Sequence, residues 1–317
     1  DTAGEEEQPK YLLSLIIPAY NEELRLPPML LSTINKLKSS RQEIVELCKD
    51  VNKSIQKSEE KVKVPFEIII INDGSKDGTL SCVKNVLRSN FGSNLERDLD
   101  GITIRILSLT RNCGKGAAVR AGMLESSGSL CLMVDADDAT NFLPSLLSLL
   151  SEMKQMTKST PMEETKEEKS SIVLKNKHSS QLVVFGSRAH LQNDSKAKRS
   201  FVRTLLMVAF HFFVETLCST LIHDTQCGFK LFTRDAALPL FHNLHLTRWA
   251  FDTEVVVMAQ EMNIPIAEVG VEWKEVDGSK LASTKLNLLI SSVEMLRDML
   301  CVKVMYSLQL WRLESIE

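Results

Sequence analysis

Asp135 and Asp137 are separated by a single residue and follow directly after an apolar run that ends at Val134. Inside a strand these side chains would point to opposite faces, but beyond a strand end the chain can turn and bring both carboxylates together. Paired carboxylates are ligands of Mg²⁺ or Mn²⁺, cations that also bridge to phosphate oxygens. The pair alone leaves two interpretations open, a divalent metal site or a solvated acidic turn.

Two further polar clusters contain the residue types of a nucleotide site. In residues 72–79, Asp73 offers an acceptor for a base N–H, although this run of Asn, Asp and Gly also suits an ordinary turn before a helix. Residues 111–116 precede another predicted helix, where backbone N–H groups together with Arg111 or Lys115 favour a phosphate. This second cluster is not a Walker loop, and it lacks the third glycine of a dinucleotide fingerprint.

The elements that must position these clusters alternate between strands and helices. Helical patterns begin near Pro27, Thr79 and Gly116, and apolar runs rich in β-branched residues predict buried strands between them. The predicted strands are 12–17, 66–71, 102–107, 129–134 and 181–187. This alternation predicts an α/β fold with a mostly parallel, Rossmann-like sheet and helices on both faces. Ligands of such sheets bind at the carboxyl ends of the strands, which is where each polar cluster falls.

Four stretches depart from this alternation. Residues 39–64 and 154–180 are charged, and we predict that both are insertions at the surface. Residues 203–222 are apolar over roughly the length of a bilayer span, although Glu215 would be costly there, so a core helix and a helix in the membrane plane both stay open. The same alternatives apply to residues 286–313. The predicted division is a polar tail at 1–10, one α/β domain at 11–272 and an amphipathic helical region at 273–317.

Composition excludes several classes of protein. The 317 residues contain 38 Lys and Arg against 41 Asp and Glu, so the overall basic field of a nucleic-acid-binding protein is absent. Seven cysteines without a CxxC pair match neither a disulfide framework nor a zinc site, which predicts a reducing compartment. An apolar content of 44% argues against wholesale disorder. The acidic start of the chain has no visible signal peptide.

Three motifs occur in a fixed order, each at a predicted strand end. They are Pro18-Ala19-Tyr20-Asn21-Glu22-Glu23, Asn72-Asp73-Gly74-Ser75-Lys76-Asp77-Gly78-Thr79 and Asp135-Ala136-Asp137. Together they resemble the inverting family-2 glycosyltransferases of the GT-A fold. The second half narrows the resemblance to the dolichyl-phosphate β-glucosyltransferases through the segments 186–190, 224–232, 248–252, 264–268 and 275–281. The resemblance covers most of residues 11–313 and leaves out the two charged stretches.

The resemblance implies that the protein transfers glucose from UDP-glucose to dolichyl phosphate with inversion, for the lipid-linked oligosaccharide of protein N-glycosylation. It implies a metal motif at Asp135 and Asp137 for Mg²⁺ or Mn²⁺, with Asp137 the more direct ligand. The implied nucleotide-sugar contacts are Pro18, Tyr20, Glu22, Asp73, Arg111, Gly114, Lys115 and Asp135. The implied acceptor-phosphate contacts are Arg188, Arg199 and Arg203, and Gln226 and Lys230 complete the catalytic set with Arg188, Asp135 and Asp137. Trp249, Asp252 and Glu254 belong to a family motif without an assigned role.

Location and competing activities follow from the same comparison. A member of this family would sit at the endoplasmic reticulum membrane with its catalytic domain facing the cytosol, and its partners would be the two substrates and the membrane surface. The family has an N-terminal anchor before the first strand, so we expect that one has been removed from this chain. Three alternatives stay open: a dolichyl-phosphate mannosyltransferase that uses GDP-mannose, a nucleotidyltransferase, and a non-catalytic module that binds a sugar nucleotide or a lipid. A nucleotidyltransferase would normally have a Gly-rich first loop, which is absent after the first predicted strand.

Overall fold

A mixed sheet of seven strands organises the described part of the chain. The computed structural model describes residues 9–56, 64–92, 101–158, 180–188, 222–276 and 285–314. The strands are β1 (Tyr11–Ala19), β2 (Phe66–Asn72), β3 (Ile102–Ser108), β4 (Gly128–Val134), β5 (Val183–Ser187), β6 (Phe229–Thr233) and β7 (Ile266–Gly270). The helices are α1 (Leu26–Ser39), α2 (Arg41–Gln56), α3 (Thr79–Phe91), α4 (Lys115–Glu125), α5 (Phe142–Lys158), α6 (Arg234–His242), α7 (Phe251–Glu261) and α8 (Lys285–Ser307). The predicted α/β fold is confirmed.

The order of the strands creates a crevice for a ligand. The sheet runs β3-β2-β1-β4-β6-β5-β7, with β1 parallel to both β2 and β4 and β6 antiparallel to its neighbours. The first four strands in this order reproduce the 3-2-1-4 arrangement of doubly wound nucleotide-binding sheets. From β1 the chain continues to β2, toward one end of this order, whereas from β4 it continues through α5 to β5, toward the other end. Ligands bind at such a point, beyond the carboxyl ends of β1 and β4.

Side chains alternate between the two faces of the central strands, and each face carries its own core. In β2, Ile68 and Ile70 pack with α1, α2, α3 and α5 on one face, whereas Ile69 and Ile71 pack with α4, α6 and α7 on the other. All four of these isoleucines are buried. Burial on both faces explains why the strand reads in the sequence as a continuous apolar run.

Helix α2 corrects the prediction of a surface insertion at 39–64. Residues 41–56 are helical, as their pattern predicts, but Ile44, Cys48 and Val51 are fully buried in the main core. These three residues recur at helical spacing, so a single apolar face is buried while the charged residues face solvent. Of the second predicted insertion, residues 159–179 lie outside the described residues, as does the apolar stretch up to residue 221.

The predicted amphipathic character of the C-terminal region is not confirmed for helix α8. This helix has two apolar faces instead of one. Met295, Met299 and Val302 are buried against the rest of the molecule. A second apolar stripe lies on the opposite side of the helix, and its members are Ile290, Val293, Leu300 and Val304, all exposed. Among the helices described, none combines the length and hydrophobicity needed to cross a bilayer.

Candidate active site

The loops after β1 and β2 are tied together by reciprocal hydrogen bonds. The Asn21 N–H donates to the Ser75 hydroxyl at 3.0 Å, and the Lys76 N–H donates to the Asn21 side-chain oxygen at 2.8 Å. The Glu22 N–H donates to the Thr79 hydroxyl at 2.7 Å. These bonds bring the first two sequence motifs into one surface beyond the carboxyl edge of the sheet.

Asp73 joins the loop after β3 to this surface. Its two carboxylate oxygens accept the N–H groups of Cys113 and Gly114 at 2.7 and 2.9 Å. Burial raises the pKa of Asp73, and the two N–H bonds offset part of that shift. The carboxylate predicted to bind a base therefore also fixes the loop predicted to bind a phosphate, and its remaining lone pairs are the ones a base could use.

The start of α4 packs closely against the loop between α6 and α7, residues 243–250. Gly114 has φ of +102°, and a Cβ there would lie 2.4 Å from the Thr247 carbonyl oxygen. The Ala117 N–H donates to the same oxygen at 3.0 Å. The Lys115 ammonium lies 5.5 Å from the centre of the Trp249 ring. Loop 243–250 thus forms a wall beside the predicted phosphate loop, and it contains Trp249, for which the sequence indicated no role.

Lys115 and Asp135, both predicted to contact the nucleotide sugar, form an ion pair at 2.7 Å. Burial lowers the pKa of Lys115, but the charges of Asp135 and Asp252 outweigh burial and raise it overall, so the side chain stays an ammonium ion. On its other side Asp135 contacts Gly228, where a Cβ would lie 1.8 Å from a carboxylate oxygen. Only glycine leaves room for this carboxylate.

Asp137 completes the acidic pair. Its carboxylate accepts the Ala139 N–H at 3.0 Å. Burial and then the neighbouring Asp135 raise the pKa of Asp137, because both disfavour its charged form. A divalent cation would relieve that repulsion. Within the described ranges no group of three or more His, Cys, Asp or Glu residues could hold a metal, so phosphate oxygens of a ligand would have to complete the coordination of this pair.

Arg188 lies at the end of β5 and forms a bidentate ion pair with Asp224. Its Nε and Nη2 atoms lie 2.7 and 2.8 Å from the two carboxylate oxygens, and its guanidinium carbon lies 5.5 Å from the Trp273 ring centre. Burial would lower the pKa of Arg188, but Asp224 outweighs that effect and raises it. This cation is therefore permanently charged and fixed in direction.

Of the two remaining predicted catalytic residues, Lys230 is buried and Gln226 is only half-buried. Lys230 is 1% exposed, and its ammonium donates to the Cys227 carbonyl oxygen and lies 2.7 Å from a carboxylate oxygen of Asp252. The structure therefore corrects the assignment of Lys230 to the catalytic set, since Asp252 and the Phe185 ring cover its ammonium group. Gln226 is half-buried, and its amide nitrogen lies 3.8 Å from the Met295 sulfur of α8.

The other predicted contacts differ in their burial and in their hydrogen-bond partners. Pro18 lies within β1 opposite Ile71, and Tyr20 is half-buried just beyond the strand. The Glu22 carboxylate accepts two bonds of 2.7 Å from the Arg25 guanidinium. Arg111 is exposed beside the phosphate loop. The predicted acceptor contacts Arg199 and Arg203 lie outside the described residues.

Comparison with known proteins identifies a family. Residues 14–237 match the family described as "Glycosyl transferase family 2". Proteins named dolichyl-phosphate beta-glucosyltransferase are 42% identical in Dictyostelium discoideum, over 96% of this chain and 77% of that protein, and 38% identical in Homo sapiens, over 98% and 80%. The protein of that name in Saccharomyces cerevisiae is 35% identical over 95% of this chain and 76% of its own length.

Similar solved structures are more distant. Glucosyl-3-phosphoglycerate synthase from Mycobacterium tuberculosis, in complex with Mn²⁺, UDP-glucose and glycerol 3-phosphate, is 15% identical with a TM-score of 0.47, covering 92% of this chain and 79% of that one. The named relatives, by contrast, are 35–42% identical over most of the chain, and they confirm the resemblance stated above. The chain belongs to glycosyl transferase family 2, and the protein is a glycosyltransferase.

Proposed function

We propose that the protein transfers glucose from UDP-glucose to dolichyl phosphate with inversion, giving dolichyl β-D-glucosyl phosphate for protein N-glycosylation. The observation that carries the proposal is the convergence of three strand-end motifs on the Asp135–Asp137 pair and its partner Lys115. Relatives at 42% and 35% identity that carry the name of this activity support it. The donor would lie across the ends of β1, β2 and β4, with its base toward Asp73 and its diphosphate toward Lys115.

The reaction needs no general base. The acceptor is a phosphate monoester with a second pKa of about 6, so it is largely a dianion at neutral pH. One of its oxygens bonds to glucose C1 while the bond from C1 to the diphosphate oxygen breaks, and that electron pair leaves with UDP. Because attack and departure occur on opposite sides of C1, the α-linked donor gives a β-linked product.

The work of the protein is to bring two anions together and to stabilise the departing diphosphate. Lys115 supplies a fixed positive charge beside Asp135, and Arg188 supplies a second one on the side of β5. Asp137 and Asp135 would hold Mg²⁺ or Mn²⁺, which supplies charge neutralisation to the diphosphate when bound. Asp224 holds Arg188 in place for the acceptor phosphate.

The same proposal places the protein at the cytosolic face of the endoplasmic reticulum membrane. A dolichyl chain is too long and apolar for a pocket in a water-soluble domain, so its phosphate must be met at a bilayer surface. The exposed stripe of α8 supplies an apolar contact for that surface.

The test is transfer of radiolabelled sugar to dolichyl phosphate by wild type, Asp137→Asn and Asp138→Asn. We expect wild type to use UDP-glucose, and Asp137→Asn to lose at least about a hundredfold in kcat because the metal site loses a charge. Asp138 is the matched control, since its carboxylate pairs with Lys274 at 3.1 Å. Its variant should keep most of the activity.

Three results would overturn parts of the proposal. A preference of wild type for GDP-mannose over UDP-glucose would make the protein a mannosyltransferase. Full turnover in excess EDTA would remove the divalent cation from the mechanism. Absence of transfer from any donor, with UDP-glucose still bound, would indicate a binding module instead of an enzyme.

A further inference from the structure

Glu254, in the first turn of α7, is a buried carboxylate outside the site described above. It is 0% exposed. Its oxygens accept the Leu246 N–H at 2.7 Å and the His245 N–H at 3.1 and 3.2 Å. The His245 Nδ1 atom lies at 3.0 Å, and the Tyr306 hydroxyl of α8 donates at 3.2 Å. A buried charge is tolerated only when it is satisfied in this way, so the carboxylate fixes the backbone of loop 243–250.

That loop is the wall that contacts the predicted phosphate loop. In the residue directly after His245 and Leu246, the Thr247 carbonyl oxygen accepts the Ala117 N–H and lies against Gly114. Trp249 then places its ring under the Lys115 ammonium. A shift of loop 243–250 would therefore move the start of α4, from which Lys115 reaches Asp135.

Helix α8 and the segment after it support the same loop from outside. The Trp311 ring stacks on the His245 ring, with centroids 4.0 Å apart and an angle of 2° between the planes. The Tyr306 ring meets the Trp311 ring edge-on at 5.6 Å. Asn243 exchanges two hydrogen bonds with the Glu314 backbone, at 3.0 and 2.8 Å.

We propose that Glu254 is a positioning residue for the nucleotide site, which acts by holding loop 243–250 against the start of α4 and so fixing Lys115 and the N–H groups beside it. This inference rests on the proposed function, because it concerns the same nucleotide site. It assigns a role to α8 and to the segment after it as well, because the Tyr306 hydroxyl bonds to Glu254 and the Trp311 ring stacks on His245 of the loop. Glu254 itself does not contact the reacting groups.

The test compares two buried carboxylates by the substitutions Glu254→Gln and Glu67→Gln. Glu67 is also 0% exposed, and it accepts bonds from Ser14, Ser127 and Arg105 at 2.6, 3.0 and 2.9 Å. It lies at the amino end of β2, whereas the candidate site lies at the carboxyl ends of the strands. Each glutamine replaces one acceptor oxygen by an NH₂ group and removes the charge, so both variants should have a lower Tm. Dissociation constants for UDP are measured by calorimetry in the presence of Mg²⁺.

We expect Glu254→Gln to weaken UDP binding about tenfold and Glu67→Gln to leave it within about twofold of wild type. Equal UDP affinities in the two variants would overturn the inference and make Glu254 a purely structural residue. If Glu254→Gln does not fold, the same measurement is made on Tyr306→Phe, which removes a single donor to Glu254. UDP binding weakened about threefold would support the positioning role, and unchanged UDP binding would refute it. Failure of wild type to bind UDP would instead refute the proposed function.

Discussion

At the scale of single residues, the candidate site is a set of carboxylates, most of which have a basic partner. Asp135 pairs with Lys115, Asp224 with Arg188 and Asp252 with Lys230. Among the described residues Asp137 enters no ion pair, and its carboxylate accepts a backbone N–H instead. This difference is the reason to assign the cation mainly to Asp137, since a bound divalent ion would be its charge partner.

The Arg188–Asp224 pair predicts a pH dependence of stability. Burial would raise the pKa of Asp224, but the bonds and charge of Arg188 outweigh it, so the folded-state pKa lies below the ordinary value of 3.8. The stabilisation is therefore fully present above the unfolded-state pKa and is lost as the pH falls through the folded one. We expect the difference in unfolding free energy between wild type and Asp224→Asn to be constant near neutral pH and to shrink below about pH 4. Urea unfolding across this range measures it, and a difference that stays unchanged down to pH 3 would contradict the pairing.

The sequence was most informative about single residues where chemistry and strand ends coincide. Asp135 and Asp137 could be predicted from the order of three motifs at strand ends, since the pair alone also suits a solvated acidic turn. The burial of Lys230 could not be predicted, because the groups that cover it, Asp252 of α7 and the Phe185 ring of β5, come from distant parts of the chain. The role of Glu254 could not be derived, since its donors come from loop 243–250 and from a helix more than fifty positions further along the chain.

At the scale of elements, the site depends on how closely loops approach the start of α4. Gly114 provides the test, because its φ of +102° and a Cβ position 2.4 Å from the Thr247 oxygen both exclude a side chain. Gly92 is a matched control with φ of +87° and no atom within 4 Å of its Cβ position. Changing either to Ala should cost about 1–2 kcal/mol of backbone strain.

Only Gly114→Ala should also impair donor binding, since the added methyl group must push loop 243–250 away from Lys115. We expect the KM for UDP-glucose to rise at least about tenfold in this variant, which corresponds to a loss of about 1.4 kcal/mol of binding. Steady-state kinetics and thermal unfolding of both variants make the comparison. If the KM values of the two variants match, the contact with Thr247 has no bearing on the donor site.

The elements themselves were predicted to the degree that burial left a simple pattern. Strand β2 reads as a continuous apolar run because both of its faces are covered. Strands β6 and β7 were missed because a charged residue interrupts each short apolar run, Lys230 in β6 and Glu268 in β7. Strand β5 is equally short, but it contains no charged residue. Helix α2 was taken for a surface insertion because its charged residues dominate the composition, although its apolar residues recur at helical spacing.

At the scale of the whole molecule, α8 connects the candidate site to the outside. Its inner face contacts Gln226 through Met295 and reaches Glu254 through Tyr306. Its outer stripe continues beyond the helix into Leu308 and Leu310, both exposed. Contiguous exposed apolar residues in a folded protein mark a contact surface. A helix of 23 residues is about 35 Å long, enough to lie along a bilayer surface beside the site.

Basic side chains accompany this stripe. Arg297, Lys303 and Arg312 are exposed along the same helix and the segment after it. At the level of lipid headgroups such cations are attracted to an anionic surface, and of the three Arg297 already pairs with Asp298 at 2.6 Å. An apolar stripe with basic neighbours is the composition of a helix that lies in the membrane interface. The outer face of α8 therefore supports the proposal that a membrane surface is a partner.

The last prediction tests this contact with the double substitution Val293→Ser and Val304→Ser. These side chains are 65% and 48% exposed, so the variant should keep the Tm of wild type. It should lose most of its sedimentation with vesicles that contain anionic lipid, because two apolar contacts with the bilayer are removed. Glucosyl transfer to dolichyl phosphate in vesicles should fall with it, while transfer to a short, water-soluble isoprenyl phosphate should persist. Met299→Ser is the control for the inner face, since Met299 is fully buried and its loss should lower the Tm. If the double variant loses transfer to both acceptors together with stability, the outer stripe packs against protein and not against lipid.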